Sequence, residues 1–371
     1  MPDPRYEQLA ETLIGYSCDL QEGEKILIEA IDVPGELTRT LVRTAAARGG
    51  RPLVWIKSQQ VMRELLHAAS EEQIDLIAAG EELVMKQVDA YIGVRGADNV
   101  AELSDVPADK LHLYESRWWT RAHNDIRVPQ TKWVVTRWPS PSMAQLADTS
   151  TAAFEEFYFR VCTMDYGRMS RAMAPLKSLM DATDRVRLVA PGTDLTFSLQ
   201  GIPSVLCDGH RNIPDGEVFT APVRDSIQGV IQYNTPTIYQ GVTHEDVRFE
   251  FDNGRIVAAS SSANESLERI LDADEGARYV GEFAIGFNPH ITEPMKDILF
   301  DEKIAGSIHL TPGQCYKEAP NGNQSQIHWD LVLRMTPQVG GGEVWFDDRL
   351  IRKDGLFVVD ELLGLNPENL V

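Results

Sequence analysis

The fold class predicted by the sequence is an α/β N-terminal domain with a parallel sheet, plus an α+β, β-rich C-terminal domain. Three observations carry it. Strand and helix signals alternate over the first 150 residues, short strands with turn punctuation dominate after Arg185, and a Pro-Ser-Pro cluster at 139–141 lies between. The chain has 371 residues, against about 150 for a typical domain, so two domains are expected, 1–150 and 151–371.

The elements follow in order. KILIEA at 25–30 reads as a buried strand, 36–48 as an apolar-periodic helix, PLVWI after Gly49-Gly50 as a second strand, and 71–88 as another helix. Residues 90–94 and 133–136 supply further buried strands. This order of strands and helices implies parallel pairing with covering helices. Two helical stretches follow, at 151–162 and 166–182. Beyond them, RLVA-PGTD-LTFSL suits a hairpin, DNGR at 252–255 joins VRFEF to IVAAS in the same manner, and 264–271 reads as a helix. No internal repeat is present. Neither GxGxxG nor GxxxxGK[ST] occurs, so nothing supports nucleotide binding by the α/β half.

Composition narrows the function classes. With 43% hydrophobic and 25% charged residues the chain is an ordinary globular one, and no stretch approaches the ~20 apolar residues of a membrane helix. The opening MPDPRYEQLAETLIGYS has no basic region leading into an apolar run, so a soluble, cytoplasmic protein is expected. Cys18, Cys162, Cys207 and Cys315 lie far apart without a C-x-x-C pair, which argues for reduced, structural cysteines. A net charge of -21 disfavours nucleic acid and anionic membranes as partners.

The chemistry-bearing residues lie in the second half. In Gln326-Ile327-His328-Trp329-Asp330-Leu331 apolar and polar residues alternate, so a strand is expected that turns His328 and Asp330 to one side, about 6–7 Å apart. Such a pair can grip a metal, although a hydrogen-bonded histidine and an unrelated acid are as common. Ser307-Ile308-His309-Leu310-Thr311 sets His309 opposite Ile308 and Leu310. Tyr316 follows seven residues later, and a Pro312-Gly313 turn is expected to bring its phenol back toward the same cleft. Glu282 in YVGEFAIG and Glu217 in IPDGEVFTAP each interrupt an apolar run, and a buried carboxylate is costly unless paired or bound to a cation.

Glu217, Glu282, His309, His328 and Asp330 together offer two imidazoles and three carboxylates, a set suited to zinc or another first-row divalent ion. A catalytic metal takes about three protein ligands. Two metals therefore need about six coordination slots, which five residues fill if one carboxylate bridges. A mononuclear site would leave at least one acid unexplained.

On these residues the chain resembles the thermophilic-type (M29) aminopeptidases. The likeness is densest from Val189 onward, through APGTDLTFSL, DGHRNIPDGEVFTAPVRDS, QYNTP, GARYVGEFAIGFNP, DEKIAGSIHLTPGQCY and NQSQIHWDLV. The family's metal shell is a Glu, a second Glu well downstream, a His, a Tyr seven residues on, then His-x-Asp. Carried over, it implies Glu217, Glu282, His309, Tyr316, His328 and Asp330 as the shell of two divalent metal ions, zinc first, with cobalt or manganese as alternatives. The resemblance further implies a C-terminal catalytic domain, a homodimer enclosing the site, and short peptides with a free N-terminus as substrates. Two departures stand out: the chain is shorter than the better-known members, and only eleven residues separate Tyr316 from His328.

The implied reaction is hydrolysis of the first peptide bond by metal-activated water. Glu282 is the candidate bridging ligand. Glu217 is either a ligand or the general base, and Tyr316 either a ligand or an oxyanion donor. For Lys303 a salt bridge with a neighbouring acid is expected rather than service to the same oxyanion. His244 and His290 match no position of the pattern. Two alternatives are a mononuclear iron dioxygenase on the same scaffold, using His309, His328 and Asp330, and a non-catalytic peptide-binding protein.

Overall fold

The computed structural model describes residues 3–371, which divide into two compact units. One comprises residues up to 164 together with 209–214; the other comprises 165–208 and 215–371.

The first unit is built on a five-stranded parallel sheet in the order Arg51–Lys57, Lys25–Ile31, Ala90–Arg95, Lys132–Arg137, Asn212–Ile213. Ile26, Leu27, Ile28 and Ala30 are all buried, as a parallel strand covered on both faces requires. The helices Gly35–Ala47 and Glu71–Met85 fall where the periodicity places them. Gln59–Ala68, a helix the sequence reading passed over, precedes the latter. A wide-turned helix, Glu115–Arg127, was not anticipated either, because its Ser, Arg and Asn residues blur the apolar spacing; it buries Trp118, Ala122 and Ile126. Helix Thr151–Cys162 belongs to this unit, and Arg5 reaches Glu155 and Glu156 on it.

Antiparallel sheets make up most of the second unit. Eight strands form one sheet, including the two hairpins expected from the turn residues. Arg185–Ala190 pairs Thr193–Ser198 across Pro191-Gly192, and Arg248–Asp252 pairs Arg255–Ser260 across Asn253-Gly254, where both turn residues have positive φ. That is the backbone a two-residue hairpin turn favours. The other sheet has five strands, in the order Val332–Arg334, Ser307–Pro312, Val280–Gly286, Glu217–Thr220, Val205–Cys207. Phe283 and Ile285 point to its inner face, where Phe283 meets Phe197 of the larger sheet edge-on at 4.9 Å. Arg352 is buried and donates to the carbonyls of Gly286, Ser307 and Gly355, one bond from each of its three nitrogens, so its guanidinium ties strands together. Among the described residues no helix is long and apolar enough to cross a membrane, and all four cysteines are free.

Candidate metal centre

Cross-strand register assembles the centre. In the five-stranded sheet Gly286 lies opposite Glu217, Ala284 opposite His309 and opposite Phe219, and Glu282 opposite Thr311, while Cys207 lies opposite Glu217. Side chains alternate between faces along a strand, so Cys207, Glu217, Glu282, His309 and Thr311 share one face. Ala284 and Gly286 stand between them and supply almost no bulk. A Cβ at Gly286 would come within 2.8 Å of Ser307 Oγ, which leaves glycine as the residue that fits.

His328 and Asp330 reach this face differently from the expectation. The regular strand there is only Val332–Arg334; residues 326–331 run extended beside the sheet, held by a single bridge between Gly313 and His328 and by bonds such as Gln314 N to Ile327 O. The alternation survives: Ile327, Trp329 and Leu331 are buried. Nor does the chain reverse at Pro312-Gly313. Gly313, with φ +110, continues the pairing, and the reversal falls between Tyr316 and Asn323, where Cys315 N bonds the Asn323 carbonyl. Tyr316 thus begins the reversal and lays its ring edge against His328 at 4.8 Å, with Phe219 at 5.2 Å.

The donors converge closely. His309 Nε2 is 3.5 Å from Glu282 Oε1, and His328 Nε2 is 3.1 Å from Glu282 Oε2 and 3.3 Å from Asp330 Oδ1. His309 Nδ1 faces Glu217 Oε2 at 3.6 Å. Glu282, His309 and Asp330 present ligand atoms within 4.8 Å of one another. All six positions singled out in the sequence are therefore brought together.

Outer partners fix the orientation of two donors. His328 Nδ1 lies 2.8 Å from the Gln314 carbonyl oxygen, to which it donates, so the lone pair of the neutral ring is on Nε2, facing Glu282 and Asp330. Thr311 Oγ1 donates to Asp330 Oδ1 at 2.6 Å. Among the described residues Glu217 Oε2, both nitrogens of His309 and His328 Nε2 are buried without a hydrogen-bond partner. Without a cation, only carboxylate–imidazole ion-pair approaches of 3.1 to 3.6 Å compensate these atoms for the loss of water. A divalent cation among them would satisfy them, and His with carboxylate donors suits a first-row ion.

Electrostatics follow from the crowding of acids. Burial alone would push His309 and His328 down; Glu217 and Glu282 around the first, and Asp330 and Glu282 around the second, outweigh it and hold both above the ordinary value of 6.5. Burial likewise raises Asp330, but His328 prevails and holds it far below the usual carboxylate range. Glu217 is raised, chiefly by burial. Tyr316 is 44% exposed, so burial acts only on part of its ring; with the Glu282 and Asp330 charges it holds the phenol above its ordinary range, and the group is a hydrogen-bond donor at neutral pH.

Three neighbours escaped the sequence reading or were undervalued. Asp215, fully buried, is not among the residues singled out from the sequence. Cys207 was read as structural. Lys303 forms the expected pair with a neighbouring acid, Glu302, but its Nζ is also 3.5 Å from Glu217 Oε1. Lys303 lies in LFDEKIAGSIHL between the apolar pairs Leu299-Phe300 and Ile304-Ala305, and a lysine so flanked is the signal that could have marked it.

Comparisons with known proteins assign the chain to a family. The sequence pattern of the thermophilic metalloprotease (M29) family matches residues 3–357. Aminopeptidase T of Thermus thermophilus is 27% identical over 380 aligned residues, covering 88% of this chain and 91% of its own. Aminopeptidase AmpS of Bacillus subtilis is 24% identical over 371, covering 88% and 87%. Among solved structures, AmpT from Thermus thermophilus superposes with a TM-score of 0.80 at 24% identity, covering 96% of this chain and 99% of its own. A dihydroxypyridine dioxygenase from Pseudomonas putida shares the fold with a TM-score of 0.62 at 12% identity, covering 96% and 98%. The chain is thus a metal-dependent hydrolase of the aminopeptidase class. It belongs to the thermophilic metalloprotease (M29) family.

Proposed function

We propose that the protein removes the N-terminal residue from short peptides at a pair of divalent ions held by Glu217, Glu282, His309, His328 and Asp330. The observation that carries this reading is the set of buried, unpartnered donor atoms on Glu217, His309 and His328. Glu282 would serve both ions, since its two oxygens face different imidazoles, at 3.5 Å and 3.1 Å. Glu217 would contribute Oε2, the oxygen that faces His309. A neutral imidazole carries one proton, so one nitrogen of His309 meets a cation and the other donates to the carboxylate beside it.

When bound, zinc, or cobalt or manganese in its place, makes water nucleophilic near neutral pH and polarises the scissile carbonyl. The chain supplies the rest. Gln314 and Thr311 hold His328 and Asp330 in place before substrate arrives. Tyr316, protonated, donates to the oxyanion of the tetrahedral intermediate. A free α-amine, once deprotonated, would offer one of the ions a lone pair, and the net charge of -21 favours the approach of its protonated form. A cytoplasmic homodimer that encloses the cleft is the assembly that the family resemblance supports.

The alternative, one iron on His309, His328 and Asp330, leaves Glu217 and Glu282 buried at the site without a role. Elemental analysis of the purified protein separates the readings: two divalent ions per chain, activity lost on chelation and restored by zinc, cobalt or manganese support the peptidase. A single iron, or activity that survives verified metal removal, overturns it.

A further inference from the structure

A second group of ligand atoms adjoins the centre: those of Cys207, Asp215 and Glu217 all lie within 4.8 Å of one another. Such a set of one thiol and two carboxylates would bind a thiophilic ion. A cation of the protein's own is already there. Lys303, 0% exposed, places Nζ 3.5 Å from Glu217 Oε1 and 4.0 Å from Asp215 Oδ1, and pairs with Glu302. Its backbone is pinned at both ends, with its N–H bonded to the Phe300 carbonyl and its own carbonyl accepting from Asn288 N. Lysine is almost never buried this completely unless paired. Loss of that ammonium would leave buried carboxylates uncompensated.

We infer that the ammonium of Lys303 is a built-in cation, filling the Cys207–Asp215–Glu217 set so that no metal ion enters it and leaving Glu217 a single oxygen to offer the catalytic centre. The inference rests on Glu217 being a ligand there. Geometry gives the division of labour: Oε1 is on the Lys303 side, and Oε2 faces His309 at 3.6 Å. Lys303 is therefore a positioning residue. It limits the ion count of the site and holds Glu217 to one ligating oxygen, as outer partners do for the other ligands.

Cadmium is the probe, because a cadmium–thiolate bond absorbs in the near ultraviolet. Zinc-loaded wild type, titrated with cadmium, is expected to give the same spectrum as Cys207→Ser, and Lys303→Arg, which keeps the charge, should match it. Lys303→Met is expected to bind one further cadmium per chain with a new thiolate band, and Lys303→Met combined with Cys207→Ser to lose that band. Turnover of Lys303→Met, measured per folded and metal-loaded chain, should fall about 10- to 100-fold, which separates the effect from a smaller folded fraction. A Cys207-dependent band in wild type overturns the inference without any change at Lys303, which covers the case in which Lys303→Met fails to fold. Folded Lys303→Met with unchanged stoichiometry also overturns it. Failure of wild type to bind any ion at the histidines would instead overturn the metal reading of the centre.

Discussion

His328 donates through Nδ1 to the carbonyl oxygen of Gln314, 2.8 Å away, and this one bond decides which nitrogen of the ring faces the acids. The orientation is set before any ion binds, since Gln314 is itself held in place: its N–H donates to the Ile327 carbonyl, and its side-chain Oε1 accepts from Ser325 N.

Substitution of a ligand should therefore remove more activity than substitution of an outer partner. His328→Ala and Glu282→Gln are each expected to lose nearly all turnover while far-ultraviolet circular dichroism stays native. Thr311→Val, which removes the hydroxyl donating to Asp330, should lose about 10- to 100-fold in metal affinity or activity. Steady-state kinetics with metal content measured on the same samples checks the order. A Thr311→Val enzyme as inactive as His328→Ala, at equal metal content, would contradict the ligand assignment.

The acids around the two imidazoles also fix a pH dependence. With both folded-state values held above 6.5, the imidazolium–carboxylate pairs of the metal-free enzyme contribute stability that is fully present below pH 6.5. That share is lost as pH rises through the raised values. Metal affinity should rise over the same interval, because an ion must displace those protons. Asp301, pushed up to about 8 by burial, loses its proton in an overlapping range and also lowers stability as pH rises. Thermal melts of chelated wild type and His328→Gln between pH 6 and 9 separate the two: the wild-type Tm should fall more steeply. Parallel curves would remove the electrostatic argument.

Much of the centre was legible because alternation shows which residues share a face. Glu282 opposite Phe283, and His309 between Ile308 and Leu310, could be read directly from the sequence. The partners across strands could not. Nothing local says that Glu217 will lie opposite Gly286, or that the extended run carrying His328 will join the sheet by one bridge instead of a regular ladder. The strand Asn212–Ile213 is too short to leave a period, yet it takes residues 209–214 into the first unit. Lys303 and Cys207 were undervalued for a related reason: their significance depends on which acids the fold brings to them.

His244 matches no position of the metal-shell pattern, yet the structure gives it a place near the centre. It is fully buried, its ring meets Trp329 edge-on at 4.9 Å, and Tyr239 stacks on the same indole at 4.9 Å. Trp329 lies in sequence between His328 and Asp330, so a cavity at His244 lets the segment carrying both shift. His244→Ala should cost about 2 kcal/mol of stability and lower turnover several-fold, with His244→Phe restoring most of the packing. His290→Ala, at a half-buried position, should stay within about 1 kcal/mol. Denaturant unfolding and kinetics on the three variants test this; equal effects of His244→Ala and His290→Ala would dismiss the packing argument.

The last prediction concerns the substrate. Glu217, Glu282 and Asp330 place three carboxylates at the centre, whose charge two divalent ions would more than balance, so the α-amine would be recognised there chiefly by its lone pair, within a chain of net charge -21. A free α-amine brings a positive charge, or after losing a proton a lone pair for an ion. Acetylation removes both. Peptides of four to six residues with free N-termini are therefore expected to lose residues one at a time from that end, and their N-acetylated counterparts to be cleaved at least about 10²-fold more slowly, the factor that roughly 2.7 kcal/mol of lost transition-state binding implies. Matched pairs incubated with zinc-loaded and cobalt-loaded enzyme, with products followed by mass, give the answer directly. Equal rates for both forms, or internal cleavage before the first residue is lost, would refute N-terminal recognition even if two ions were found at the centre.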